Sequence, residues 1–409
     1  MHAVLPALLA AALTAPPELS DPLTLAVVTR AAMAANPELA ASTASARAAD
    51  AAARGARALP EPMLSYQAWQ QPISHPLDPG ETNMHMFGVR WSIPFPGQLG
   101  LAGRAADEGA LASRADVRAR RLSLQAQVAH AFVAWWRSAR ELEVHLRQMS
   151  LAERTVEATN AKYAAGGASQ ADILRAETDL HRLHADVAGL REASTTAGAL
   201  LNAVMGRAAA APLPAAAAVE TVVIDAAGPV ERPEVQSAQS LSARAEAIQA
   251  LDQRARRAPD LMIGLDYMVA PHMPDAYSVM VQVALPWFSG RRSAEADRAE
   301  AEADQARRAA DAVRVAAGYE ESEAGARARA ARAQLEVLDS EVLPRASRTV
   351  DALRAAYVAG RADLTALLDA ERTLLDAGLS AVRQRATLAD AIADLRRARG
   401  VDLLEGAKP

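Results

Sequence analysis

The chain has 409 residues, 51% of them hydrophobic but only 4% aromatic, with 23% charged and a formal net charge of −5 at pH 7. That length exceeds one ordinary compact domain, and the alanine-rich, aromatic-poor composition is that of long helices meeting along thin seams. The weak acidity offers no electrostatic footprint for nucleic acid, and the absence of cysteine excludes a disulfide framework, a thiol nucleophile and a lipid-modified N-terminal cysteine.

The first residues, MHAVLPALLAAALTAPPELSDP, hold an apolar run from Ala3 to Leu13 and a small residue at Ala15. This fits a short secretory signal over residues 1–15, although no Lys or Arg precedes the run. No later segment has roughly 18 uninterrupted apolar residues, so a chain that spans a membrane must do so with strands.

From Leu23 onward one unit is written twice. NPELAASTASARA at Asn36 answers RPEVQSAQSLSARA at Arg232, and LPEPMLSYQAW at Leu59 answers APDLMIGLDYM at Ala258. FGVRWSIPFPGQLG at Phe87 answers VMVQVALPWFSGRR at Val279, and YAAGGASQADILRAETDL at Tyr163 answers YVAGRADLTALLDAERTL at Tyr357. The offsets stay between 192 and 199, which places repeat 1 at 23–205, a linker at 206–232, repeat 2 at 233–402 and a tail at 403–409.

Each repeat opens with an alanine-rich helical segment and continues with two alternating runs, expected as β-hairpins at about 63–93 and 261–285. Phe87, Val89, Trp91 and Ile93 fall on one face, opposed by Gly88, Arg90 and Ser92. Leu261, Ile263, Leu265 and Tyr267 oppose Met262, Gly264 and Asp266, while Val279, Val281 and Val283 oppose Ser278, Met280 and Gln282. One face is wholly apolar and the other largely polar, the dyad pattern of a membrane strand between lipid and a watery lumen, and equally that of a half-buried soluble strand. Trp69, Trp91, Phe95, Tyr277, Trp287 and Phe288 gather at strand ends, where a membrane barrel carries aromatic girdles. Arg90, Asp266 and Gln282 are then the expected lumen-facing side chains. Four strands cannot close a barrel, whose smallest forms have about eight, so copies of the chain must combine.

After the strands, Gly97–Ala164 and Gly290–Val358 run for nearly seventy residues with Pro344 as the one proline, about 100 Å at helical rise. A turn at 163–169 or 357–363 leads into a last helix. The seam Ile173, Ala176, Leu180, Leu183, Val187, Leu190 steps by three and four, as does Leu367, Ala370, Leu374, Ala377, Ala381. Each repeat therefore ends in an antiparallel helix hairpin whose tip turns on Gly166 or Gly360.

The duplication, the strand exits IPFPG and LPWFSG and the tips YAAGGASQADILRAE and YVAGRADLTALLDAE together resemble the TolC-like outer-membrane efflux channels over nearly the whole chain. FPG followed by LGLAGRAADE is most similar to the heavy-metal-pump branch. The resemblance implies a mainly helical, internally duplicated fold: a homotrimer with a twelve-stranded β-barrel in the outer membrane of a Gram-negative bacterium and a periplasmic α-barrel. It further implies a passive exit duct of a tripartite efflux or type I secretion system, whose tips gate it and dock a periplasmic adaptor and, through it, an inner-membrane pump. Tyr163, Gly166, Ser169, Tyr357, Gly360, Arg361 and Asp369 are the corresponding tip residues. Tyr357, Gly360 and Asp369 match the family pattern, whereas Ala362 and Ala366 stand where that pattern has an arginine and a second lumen aspartate.

No catalytic constellation or cofactor site stands out. His75, Met84, His85, Met86, His272 and Met273 lie in or beside the strand-connecting loops and are soft-metal ligand types without fixed spacing; His85, His272 and Met273 are the candidates. His181 and His184, three apart on a helix, suit exposed polar positions as well as chelation. A soluble or periplasmic coiled-coil scaffold capped by a small sheet is the competing reading.

Overall fold

The computed structural model describes residues 22–76, 78–217, 219, 232–270, 273–285 and 290–404. The expected signal segment 1–15, His272, Trp287, Phe288 and most of the expected 403–409 tail lie outside them. The elements in chain order are α1 Leu25–Ala35, α2 Pro37–Gly55, β1 Met63–Trp69, β2 Met84–Ile93, α3 Gln98–Ala164 and α4 Gln170–Val204. The second repeat supplies α5 Pro233–Arg257, β3 Asp260–Ala270, β4 Met273–Ala284, α6 Arg291–Val337, α7 Leu343–Val358 and α8 Leu364–Ala398. Among the described residues no helix is long and apolar enough to cross a membrane.

Two compact units emerge. One comprises Glu38–Arg120 and Glu231–Gly318. It holds a four-stranded antiparallel sheet in the order β1-β2-β3-β4, together with α2, α5 and the early parts of α3 and α6. Its helices meet through alanines: Ala105, Ala112, Ala115, Ala299 and Ala303 are buried, which lets backbones approach closely but contributes little area per residue. Ion pairs such as Arg114–Asp50 at 2.8 Å link the exposed rims.

The other unit comprises Met1–Pro37, Arg121–Val230 and Tyr319–Pro409. α1 and α2 are separated at Asn36, which takes an extended conformation (ψ 115°) before Pro37, as the residue preceding proline must. Leu23 is fully buried and bridged to Ala216, tying the linker to the start of repeat 1. The core runs along α3 and α8, where Val133 and Trp136 pack on Val382, Ala386 and Ala389.

The long helix of repeat 2 is not one α-helix. Leu338–Val342 form a π turn ahead of Pro344. Proline removes a donor and crowds the carbonyl four residues back, and a widened turn accommodates both. Arg385 of α8 grips that turn with two hydrogen bonds of 2.8 Å to Asp339.

Candidate functional site

The sheet register decides which side chains share a face. Tyr66 pairs with Phe87, Phe87 with Tyr267 and Tyr267 with Tyr277, so four aromatics form one row across all four strands. Leu64, Val89, Leu265 and Val279 form the next row, and Trp91, Ile263 and Val281 the one after. Most of this face is open: Leu64 is 83% exposed, Tyr277 75%, Val279 64% and Val281 63%. Such an apolar surface has no place in water. From Tyr277 to Leu285 it spans about 27 Å along the strand, or about 20 Å of height at the usual tilt of a membrane barrel.

The aromatic row has polar anchors. The Tyr66 hydroxyl lies 2.9 Å from His85 Nδ1, and the Tyr267 hydroxyl donates to Asp275. Within the aliphatic band, in the row of Ile263 and Val281, Trp91 Nε1 donates to the Pro60 carbonyl at 2.7 Å. A row of apolar rings with satisfied polar tips along the border of an aliphatic band is the arrangement of interfacial aromatics. Trp69 does not join them: it pairs with Met84 and so falls on the opposite face. Position at a strand end did not tell which way its ring points, whereas register does.

On that opposite face Ser65, Gly88, Asp266 and Ser278 form one row. Asp266 is 6% exposed because it folds over Gly88, where a Cβ would lie 2.0 Å from Asp266 Oδ1 and 2.7 Å from Ser65 Oγ. Arg90 pairs with Gly264 one row away, half-buried, and Gln282 is exposed opposite Met262. The face is less polar than its sequence suggests, since Met63, Met84, Met86, Met262, Met268 and Met280 all lie on it.

The metal candidates do not converge. His85 sits on the apolar face, bonded to Tyr66, while Met84 and Met86 point to the other side. Met273 is 58% exposed at the start of β4. Among the described residues no group of three or more His, Asp or Glu could hold a metal. The His181 and His184 rings lie 6.0 Å apart on an exposed helix surface.

Both hairpin tips are built alike. Gly166 and Gly360 have φ of 74° and 73°. Gly167 N donates to Lys162 O at 2.8 Å and Gly166 N to Tyr163 O at 2.9 Å; Arg361 N donates to Ala356 O at 2.8 Å and Gly360 N to Tyr357 O at 3.0 Å. These bonds close the helix ends around a left-handed glycine. The next helices start on capping side chains. Ser169 and Asp172 form a reciprocal capping box, whose hydrogen bonds from Ser169 hold the Asp172 carboxyl below its usual range. Asp363 accepts from Ala366 N at 2.7 Å.

Their surroundings differ. Tyr357 is 3% exposed, with its hydroxyl donating to Thr159 at 3.0 Å and Lys162 lying over its ring at 4.0 Å. Lys162 also donates to the Tyr357 carbonyl at 2.7 Å. One turn deeper, Glu371 is 2% exposed and accepts from Thr155 at 2.8 Å and Arg354 at 2.9 Å. Tyr163, the counterpart of Tyr357, is 49% exposed, as is Leu174 at 57%. Arg361 is exposed, and the Asp369 side chain is 69% exposed and 4.0 Å from Arg372, which bonds Asp179 at 2.6 Å. Glu371, Thr155 and Lys162 escaped the sequence reading because ordinary helix-face spacing conceals a cross-repeat contact.

Deeper along the same helices, His130 of α3 is held by two carboxylates of α8, with Nδ1 2.8 Å from Asp390 and Nε2 3.0 Å from Asp394. Hydrogen bonds to Asp390 and then Asp394 raise its pKa to about 9. His130 in turn lowers that of Asp394.

The family profile described as "Outer membrane efflux protein" matches residues 28–207 and 230–401. A search of curated proteins finds no match. Among solved structures, the outer membrane protein VceC of Vibrio cholerae is similar with a TM-score of 0.79 at 19% identity, over 92% of this chain and 96% of that one. CusC gives 0.81 at 18% over 92% of both chains. The MtrE outer membrane channel of Neisseria gonorrhoeae gives 0.77 at 20%, over 92% and 89%. At these identities the likeness concerns the fold, while the profile covers most of the chain. A duplicated helix hairpin and an exposed apolar sheet face bordered by a row of aromatics thus find their common explanation: the chain belongs to the outer membrane efflux protein family, the TolC-like channels of the outer membrane.

Proposed function

We propose that three copies of the chain close into one continuous duct: a β-barrel in the outer membrane and a helical barrel in the periplasm, through which a pump expels its substrate. The observation that carries this is an imbalance between equivalent helices. α4 and α8 have 35 residues each and hold corresponding places in the repeats, yet α8 buries 16 residues and α4 six. α8 is packed on helices of its own chain, whereas α4 leaves a broad side open. Leu174 and Leu200 are more than half exposed along it. A second copy placed as repeat 2 is placed on repeat 1 covers that side. The sheet agrees, because β1 and β4 each have one strand neighbour among the described residues and bilayer strands require closed edges.

In such a trimer the face of Arg90, Asp266 and Gln282 lines the lumen and the face of Val279 and Val281 meets lipid. Tyr163, Gly166, Ser169, Tyr357, Gly360 and Arg361 form the surface that docks the periplasmic adaptor, and exposed Asp369 contributes an acid ring. With Ala362 and Ala366 nearby, the tip closes through Tyr357, Thr159, Lys162 and Glu371 rather than through an added arginine.

The duplication specifies a cross-linking test. Tyr357 contacts Thr159 inside the chain, and the counterparts in the other repeats are Tyr163 and Leu353. In this cysteine-free chain, Tyr163→Cys with Leu353→Cys should yield covalent trimers in intact cells. Only monomers under oxidation would contradict the arrangement.

A further inference from the structure

The two faces of the sheet divide their large aliphatic side chains by type. The lipid face carries leucine, isoleucine and valine and no methionine across the regularly paired rows. The opposite face carries methionine alone, six of the chain's 11. Met280 fills the space over Gly264, but packing does not account for the choice at the other positions. Met63 is 54% exposed and the other five are half-buried, in a place where a watery lumen needs no apolar filler.

Three of the six are concentrated. Met86 stands directly opposite Met268 on β2 and β3, and Met84 lies two residues along β2 on the same face. Directly opposed residues have Cβ atoms about 5 Å apart, and residues two apart on a strand are about 7 Å apart. Methionine has three rotatable side-chain bonds, enough for three sulfurs to converge on one point from such positions. Asp266 lies two residues from Met268 on the same face, its carboxylate in the adjoining row.

We propose that Met84, Met86 and Met268 form a binding site for a soft monovalent cation, Cu(I) or Ag(I). Neutral thioethers are soft donors that favour these ions over hard or borderline divalent cations, and the neighbouring carboxylate supplies attraction without replacing a sulfur ligand. The ion exchanges water for sulfur, with no change of oxidation state. The site rests on the duct reading for the statement that this face looks into the lumen, and it would give a soft metal ion a last foothold on its way out.

The test uses the full chain in detergent micelles, labelled with 13C at methionine methyls and titrated with silver nitrate in chloride-free buffer. The signals of Met84, Met86 and Met268 should shift together on adding Ag(I) and stay in place on adding Zn(II). Met268→Leu, which keeps volume but removes sulfur, should weaken Ag(I) binding at least tenfold. No movement of the three signals, or Met268→Leu binding silver as the parent does, overturns the site. Potassium conductance of the same preparation in planar bilayers reports separately on the duct: absent conductance refutes the channel and leaves the silver result standing.

Discussion

Tyr357 of repeat 2 donates its hydroxyl to Thr159 of repeat 1 at 3.0 Å from a site that is 3% exposed, and this bond fastens the two hairpin tips within a chain. A buried neutral hydrogen bond contributes about 1 kcal/mol. Tyr357→Phe keeps the ring under Lys162 and removes only that bond. It should leave assembly intact and raise the leak of the closed duct, measured as vancomycin sensitivity of cells without the pump. Tyr163→Phe, altering an exposed hydroxyl, should not raise it.

Glu371 carries a larger stake. Its carboxylate joins Thr155 of α3 to Arg354 of α7 while 2% exposed. Glu371→Ala leaves the Arg354 guanidinium without its carboxylate, while Thr155 keeps the Leu151 carbonyl at 3.2 Å, and because Arg354 retains some contact with water the loss should fall below the roughly 3–5 kcal/mol of a fully buried pair. Hydrogen exchange should rise in α7 and the facing turn of α3, whereas Glu371→Gln, which retains an acceptor oxygen, should show a smaller rise. Equal protection in Glu371→Ala and the parent would mean that the group is solvated.

The turn glycines test docking separately from folding of the sheet unit. Gly166 and Gly360 have positive φ, and a Cβ at either would meet no atom within 4 Å, so a substitution there strains only the backbone. Gly166→Val and Gly360→Val should preserve trimers and abolish adaptor cross-linking and pump-dependent resistance. Gly→Asn, which tolerates the left-handed region, should retain both.

His130 makes stability depend on alkalinity. Its folded pKa of about 9 exceeds the ordinary 6.5, so the bound proton stabilises the folded state fully below about 6.5, and that contribution is lost as pH rises through about 9. The melting temperature of the purified protein should therefore decline between pH 7 and 10. His130→Gln should melt lower at pH 6.5 and lack that decline.

Much of this was legible in the residues. Strand alternation and the three-four helix seam are periodicities that survive any context, and the paired tip sentences have the same capped turns at Gly166 and Gly360. Features set by distant neighbours were not. Met84 and Met86 meet Met268 only through the register of β2 on β3, and Trp69 changes faces for the same reason. Tyr163 and Tyr357 sit in nearly identical sentences. They part because Thr159 and Lys162 receive Tyr357, while at the corresponding positions Leu353, packed against the cluster of Tyr357 and Leu364, and Ala356 offer Tyr163 neither a hydroxyl nor an ammonium. The break at Asn36 was masked by good helix formers on both sides, although Pro37 marked it.

The faces of β4 test the environment of the sheet. Val281→Arg places a charge on the apolar face at a cost of about 2–4 kcal/mol near mid-bilayer, while Gln282→Arg changes a residue on the other face. Outer-membrane yield should drop for the first and hold for the second. Equal loss from both would place lipid on neither side.

The central claim, that the chain is one third of a closed membrane duct, is tested most directly by the mass of the native particle extracted in mild detergent. Three chains per particle, recovered from the outer-membrane fraction and insoluble without detergent, is the expected result. A water-soluble monomer would contradict it, because four strands with an open apolar face cannot then be part of a barrel.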